Sequence, residues 1–308
     1  MNIWEQQARN RRNTLLLIAL FVAVLAALGY GADWYFGSGD FPVLTVLALM
    51  MATGQALVGY FAGDKIALAL SKARPVTGST FAERQLINVT EEIAIAAGIP
   101  MPKLYIVPDP DPNAFATGRS PQHASIAVTE GLLQMLSRDE LQAVVAHEIG
   151  HIRNYDIRLM TLVAILLGTV LILADMARRA LFWGVGRRDR RSEANVVLLV
   201  VWLLVSILAP IAAYLIAMAV SRQREYYADA TSAELTRNPE ALIRALQKIA
   251  AAVQPTTAIP QSLAHMCIED PRGRSINEKT GFWSELFATH PPLHKRIEAL
   301  RRMAYLQT

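Results

Sequence analysis

Four apolar runs constrain this chain more than any other feature of its sequence. Residues 14–30 form the first run, which continues weakly through Trp34, Tyr35 and Phe36. The second covers 41–62, the third 159–174, and the fourth 196–220, broken only by Ser206 and Pro210. A helix needs about 20 apolar residues to cross a bilayer, and the longer runs approach that length. With 308 residues, 53% of them hydrophobic, the chain exceeds the roughly 45–50% apolar content of ordinary soluble domains. A cleaved signal peptide is the rival reading of the first run. Its apolar core would span only about 7–15 residues before a small-residue cleavage site. The first run is longer and ends in an aromatic girdle of the kind found at membrane interfaces, so a retained helix is expected.

Charge sets the orientation. Arg9, Arg11 and Arg12 precede the first run, and Lys65, Lys72 and Arg74 follow the second. The link 31–40 carries Asp33 and Asp40 but no Lys or Arg. Basic residues stay on the cytoplasmic side, so the N-terminus and everything after Lys65 should face the cytoplasm. The later pair of runs conflicts with this rule. Arg178, Arg179, Arg187, Arg188, Arg190 and Arg191 lie between them and would face outward if both runs crossed. The length of 196–220 favours four transmembrane helices over a hairpin that dips in and returns. The net charge of +4 is concentrated beside apolar runs, which fits anionic lipid headgroups better than nucleic acid.

Outside the membrane the chain reads as short α and β segments. A linker at 75–78 is followed by Thr80 and Glu83 at capping-box spacing. The helix they open should run to about Ala97 and stop at Gly98, with Pro100 behind it. Residues 103–107 and 124–128 are strand-like, and the Pro- and Asp-rich stretch 108–112 is a turn. Ser137 and Glu140 form a second capping-box pair, opening a helix that can continue unbroken into the third apolar run. Asn238 and Pro239 look like an N-cap and first-turn proline for a helix over 240–253. Residues 254–287 have no clear period, and a last helix is expected from His290-Pro291 to about Met303. Cys267 is the sole cysteine, which excludes an internal disulfide and a multi-thiolate zinc site.

The chemistry concentrates at His147-Glu148-Ile149-Gly150-His151. On a helix the two histidines lie one turn apart on one face, so both imidazoles can reach one ion, with Glu148 able to reach a water on it. Gly150 is unfavourable in mid-helix by about 1 kcal/mol; a second backbone crossing closely there would explain it. An open catalytic zinc site needs three protein ligands. The residues after His151 offer no nearby third histidine, and Asp156 sits five positions on, off the shared face. Glu225 is the better candidate. Asp229, one turn beyond it, is suited to accept the free ring N–H of a ligand histidine.

Four segments together resemble the membrane-bound M48 zinc metalloproteases, of HtpX type. They are His147–His151, Ser221-Arg-Gln-Arg-Glu225-Tyr-Tyr-Ala-Asp229, Asn113-Ala-Phe-Ala-Thr-Gly118 and Thr289-His-Pro-Pro-Leu293. The resemblance spans about 80–300, with two apolar helices ahead of it. It implies a mainly α fold with a small β-sheet (α+β), a zincin-like metallopeptidase domain fused to transmembrane helices. Its metal ligands would be His147, His151 and Glu225, holding one Zn2+ per chain, with Glu148 as general base. It further implies His290 as a second donor to the oxyanion. Asn113, Ala114 and Phe115 would belong to an edge strand that pairs with extended substrate. The expected organisation is a cytoplasmic arm 1–13, a transmembrane hairpin 14–63, and a metallopeptidase domain 75–308 interrupted by an apolar hairpin 159–220.

The expected function is therefore cleavage of membrane or misfolded proteins near the cytoplasmic face of the cell membrane, in quality control, with no role for nucleic acid. Two alternatives are a narrow-specificity, CAAX-like processing protease and a non-catalytic scaffold with structural zinc. The first needs a chamber of more helices than four runs supply. The second would use four protein ligands and has no need of Glu148. A channel or transporter is disfavoured because the polar residues lie outside the apolar runs. Oligomeric state and side-chain preference are not encoded legibly.

Overall fold

A computed structural model of the chain describes residues 3–36, 41–184, 222–252, 256–269 and 291–305. Two helices, α1 (Ile3–Phe36) and α2 (Val43–Leu70), form the apolar hairpin. Both are long and apolar enough to cross a membrane, over Asn10–Ala27 and Val43–Leu70. Residues 3–13, expected as an arm ahead of the first helix, are instead its first turns. The hairpin is pinned at its turn by a side chain rather than by a cap on α2 itself. Asp33 of α1 accepts the backbone N–H groups of Leu44 and Thr45 at 2.9 and 2.8 Å, two of the four donors a helix N-terminus leaves unsatisfied. Gly29 makes this approach feasible, since a Cβ there would lie 2.7 Å from the Thr45 Cα.

After α2 the chain enters a four-stranded mixed sheet with order β1-β2-β4-β3. Its strands are β1 (Arg74–Pro75), β2 (Lys103–Val107), β3 (Ala114–Gly118) and β4 (Ala124–Thr129). The central pair β2/β4 is parallel, and β1 and β3 flank it antiparallel. Helix α3 (Phe81–Ala97) lies between β1 and β2 in the chain and ends at Gly98 in the left-handed conformation, φ 66°, as the sequence predicts. Only half of its expected capping box forms. Thr80 accepts the Glu83 N–H at 3.1 Å, but the Glu83 carboxylate turns to Arg74, Thr77 and Ser79. Those bonds fasten the linker and hold the Glu83 carboxyl down near 2, with Arg74 the main cause.

A short helix α4 (Glu130–Met135) leads to α5 (Arg138–Arg153), opened by the complete Ser137/Glu140 capping box. From Ala143 to Ile152 every residue of α5 is buried. A helix apolar or buried on all sides is a core helix, and α5 has the sheet, α3 and the later helices around it. It does not continue into the third apolar run. Asn154 ends it, Tyr155 adopts a left-handed φ of 60°, and α6 (Asp156–Gly184) departs at 86°. The turn lets α6 pack Leu159, Leu162, Val163 and Leu166 against Leu17, Phe21 and Leu25 of α1 and Ala52 of α2. The fourth apolar run lies outside the described residues, as do Arg187, Arg188, Arg190 and Arg191.

Helices α7 (Arg222–Thr236), α8 (Pro239–Ala251) and α9 (Leu293–Tyr305) close over the other side of α5. Asn238 caps α8, accepting the Ala241 N–H at 3.2 Å ahead of Pro239. Leu242, Ile243, Leu246 and Ile249 of α8 join Val144, Val145 and Ile149 of α5 and Leu300 of α9 in the main core. A 3-10 turn at Gln261–Met266 packs against α6, with His265 directed to the Met160 carbonyl at 3.1 Å.

Candidate metal centre

His147 and His151 occupy consecutive turns of α5, and α7 crosses that helix at Gly150. A Cβ on Gly150 would lie 3.1 Å from the Ala228 Cα and 3.2 Å from the Thr231 Cβ. The mid-helix glycine is thus the close approach its position implied. The crossing brings Glu225, in the first turn of α7, to the imidazole pair. One donor atom from each of His147, His151 and Glu225 lies within 4.8 Å of the others. The two Nε2 atoms are 3.2 Å apart. Glu225 Oε2 is 3.7 Å from His147 Nε2, and Oε1 is 3.6 Å from His151 Nε2. Asp156, the weaker sequence candidate for third ligand, takes a different part.

Each imidazole is turned by a carboxylate behind it. His147 Nδ1 lies 3.0 Å from Asp229 Oδ1. His151 Nδ1 lies 3.1 Å from Asp156 Oδ2. An Nδ1–H directed at a carboxylate leaves Nε2 as the lone-pair atom. With both rings neutral, two lone pairs would face each other at 3.2 Å in a dry interior, an arrangement that calls for positive charge, either a proton on one ring or a cation between them. Donors about 2.0–2.2 Å from a tetrahedral centre would themselves stand about 3.3–3.6 Å apart. The donor set, two imidazoles and a carboxylate with no thiolate, suits zinc.

The electrostatics agree with that need. Burial alone disfavours charge on His151, but the Asp156 hydrogen bond and the carboxylates of Glu225 and Glu148 outweigh it and raise the imidazole to about 9. His147 is lowered, with burial the largest cause and Asp229 opposing it. Burial raises Glu148 to about 7, with Glu225 adding to the rise. Both Glu148 carboxylate oxygens are buried without a hydrogen-bond partner among the described residues, although the backbone of Ala116 in β3 favours its charged form.

One participant was not foreseen. Arg296 of α9, wholly buried, donates from Nε and Nη2 to the two oxygens of Asp229 at 2.9 and 2.7 Å. Its Nη1 stands 3.7 Å from Glu225 Oε2. Burial would lower its affinity for the proton, but Asp229 and Glu225 raise it instead. Arg296 stands three residues beyond Leu293, the last residue of Thr289-His-Pro-Pro-Leu293. Sequence reasoning looked to His290 in that segment, and His290 lies outside the described residues.

The third expected group is the edge strand. β3 is one of the two outer strands of the sheet; Ala114 and Phe115 within it, and Asn113 just before it, are fully buried. Asn113 Nδ2 donates to the Glu269 carbonyl at 2.9 Å, and the Ala114 carbonyl accepts the Ile268 N–H at 2.9 Å. Phe115 pairs with Cys267 in an isolated antiparallel bridge.

The model of peptidase family M48 matches residues 81–304. The chain belongs to peptidase family M48. The protease HtpX homolog of Caldanaerobacter subterraneus subsp. tengcongensis is 44% identical over 304 residues, covering 98% of each chain. That of Tropheryma whipplei is 43% identical over 296 residues, 96% of this chain and 97% of its own. Among solved structures, S. mikatae Ste24p aligns with TM-score 0.46 and 19% identity, over 96% of this chain and 66% of that one. This M48 protein is accordingly an HtpX-type metalloprotease with a mainly helical fold, a small mixed sheet and apolar membrane helices.

Proposed function

We propose that this M48 protease holds one zinc ion per chain on His147, His151 and Glu225, and cleaves membrane or misfolded proteins at the cytoplasmic face of the cell membrane. The observation that carries this reading is the meeting of three ligand atoms within 4.8 Å beside the buried Glu148, on a helix that turns straight into the membrane-packed α6. Those three residues would hold the zinc, which when bound would supply a water acidified toward about pKa 7 and a Lewis acid for the carbonyl. Glu148, with a carboxyl near 7, takes the water's proton during attack on the peptide carbonyl and returns it to the leaving amine. Asp229 and Asp156 keep the imidazoles turned. His290 is assigned the second donor to the developing oxyanion.

Peptide binding follows the edge of β3, whose Ala116 backbone adjoins Glu148. A substrate strand extending toward Asn113–Phe115 must displace the contacts from 267–269, so those three residues hold the edge in register until a peptide replaces that segment. The division into a transmembrane hairpin 14–63 and a metallopeptidase domain 75–308 interrupted at 159–220 is part of the same proposal. The nearness of the centre to α6 supports delivery of substrates from the bilayer, hence a role in membrane protein quality control. A scaffold with structural zinc has no use for a carboxylate such as that of Glu148.

The test is cleavage of an unfolded membrane protein by purified wild type and Glu148→Gln. The variant should retain wild-type zinc content and lose at least about 100-fold in rate. Near wild-type cleavage by Glu148→Gln would remove Glu148 from the role of base.

A further inference from the structure

We infer that membrane helix α1 is a working part of the metal centre, and that Asn10 is a positioning residue for His151. The inference rests on the assignment of His151 as a ligand. Asn10 is almost wholly buried, 4% exposed, and its amide commits both hydrogens to the joint between α5 and α6. Nδ2 donates to the Asn154 carbonyl at 3.0 Å and to Asp156 Oδ1 at 2.5 Å. The other oxygen of Asp156 meets His151 Nδ1 at 3.1 Å. A continuous hydrogen-bonded path thus runs from α1 to an imidazole of the metal site.

The next residue of α1 reinforces the same joint. Arg11 sets its guanidinium 5.1 Å from the centre of the Tyr155 ring. Two consecutive α1 residues therefore hold three consecutive residues, 154–156. That joint needs holding. It combines an 86° change of helix direction with a non-glycine residue at φ 60°, a conformation that L residues adopt only at a cost. Asp156 is completely buried, and a buried carboxylate stays oriented only while its lone pairs are bonded. Removing the amide of Asn10 frees one oxygen of Asp156 and the end carbonyl of α5 together. The carboxylate then loses the bond that fixes its plane, and His151 loses its rigid orientation. Partners of this kind behind a ligand histidine are worth about 10–100-fold in metal affinity.

The reading differs from plain helix packing because it ties a membrane residue to metal affinity. Zinc affinity is measured for the full-length protein in detergent by competition with a chromophoric chelator, without substrate. Asn10→Leu should bind zinc at least about tenfold more weakly than wild type. Thr45→Val, which removes a 2.6 Å hydrogen bond to Asp33 at the opposite end of the same hairpin, should bind as wild type does. Asn10→Asp, which sets two carboxylates against each other, should be weaker still. Adding Asp156→Asn to Asn10→Asp restores a donor facing an acceptor and should recover part of the loss, a rescue that generic destabilisation cannot give. His151→Ala separates the two claims. If it leaves zinc affinity unchanged, the ligand assignment fails. If it abolishes tight binding while Asn10→Leu loses less than tenfold, or Thr45→Val loses as much, or the paired variant recovers nothing, the role of Asn10 is overturned.

Discussion

Among the described residues, the largest side chain wholly removed from solvent is an arginine, and it stands behind the metal centre. Arg296 neutralises Asp229, which turns His147, and it reaches toward Glu225. Taking one partner from a buried, bonded pair leaves an uncompensated charge, at a cost of about 3–5 kcal/mol. Arg296→Met should therefore lower the stability of the metal-free protein by about that amount, and Arg296→Met with Asp229→Leu should be more stable than Arg296→Met alone. Chemical denaturation in detergent reads both. Asp229 was legible in the sequence because it repeats Glu225 at one helical turn. Arg296 was not, because its partners lie far away in the chain and nothing local marks a basic residue in an exposed-looking helix as buried. The place of Asp156 behind His151 was not legible, for a definable reason. Its place was extrapolated along α5, whereas the left-handed Tyr155 resets the chain direction just before it. Asn154 at a helix end and an acidic residue opening the next helix were the available signals.

At the scale of elements, the central contact is α5 against α7. The pattern of the sequence located both helices, and Gly150 foretold that something must pass close by. It did not say which helix, because close approach leaves no mark on the partner beyond small residues such as Ala228. Replacing Gly150 by Leu should improve intrinsic helix propensity by up to about 1 kcal/mol. The added side chain would meet the α7 backbone, which cannot yield as a flexible side chain can, and would displace Glu225. Zinc affinity should fall by at least about tenfold while α5 remains helical; affinity equal to wild type would show that the crossing does not set the ligand position. Local signals served well where they act locally. The bounds of α3, β2 and α8 follow from Gly98, Pro108 and the Asn238-Pro239 pair. The start of α1 escaped detection because residues 3–13 carry no apolar period, although Asn10 and Arg11 among them meet the joint 154–156.

At the scale of the molecule, apolar hairpin and metallopeptidase core are interlocked. Helix α6 contributes to the packing of α1 and α2 and, with the end of α2, to a second core beneath β3 and β4. The sequence declared the membrane character through run length and charge, and the chemistry through the paired histidines. The interlocking was hidden, since it depends on an 86° turn with no strong breaker in it. Orientation is open to a direct check. With Cys267 buried, a Cys introduced for Ser38 in the link after α1 should react with an impermeant maleimide in intact cells. One introduced for Asn88 on the exposed face of α3 should react only after lysis. Labelling of the Asn88 variant in intact cells would reverse the assigned topology.

The central claim concerns which atoms surround the metal, and zinc-edge X-ray absorption of the purified full-length protein addresses it most directly. Two imidazole nitrogens and otherwise only oxygen donors are expected, with Glu225→Ala losing an oxygen donor or the metal itself. A sulfur donor, a third imidazole, or an unchanged spectrum in Glu225→Ala would contradict the account.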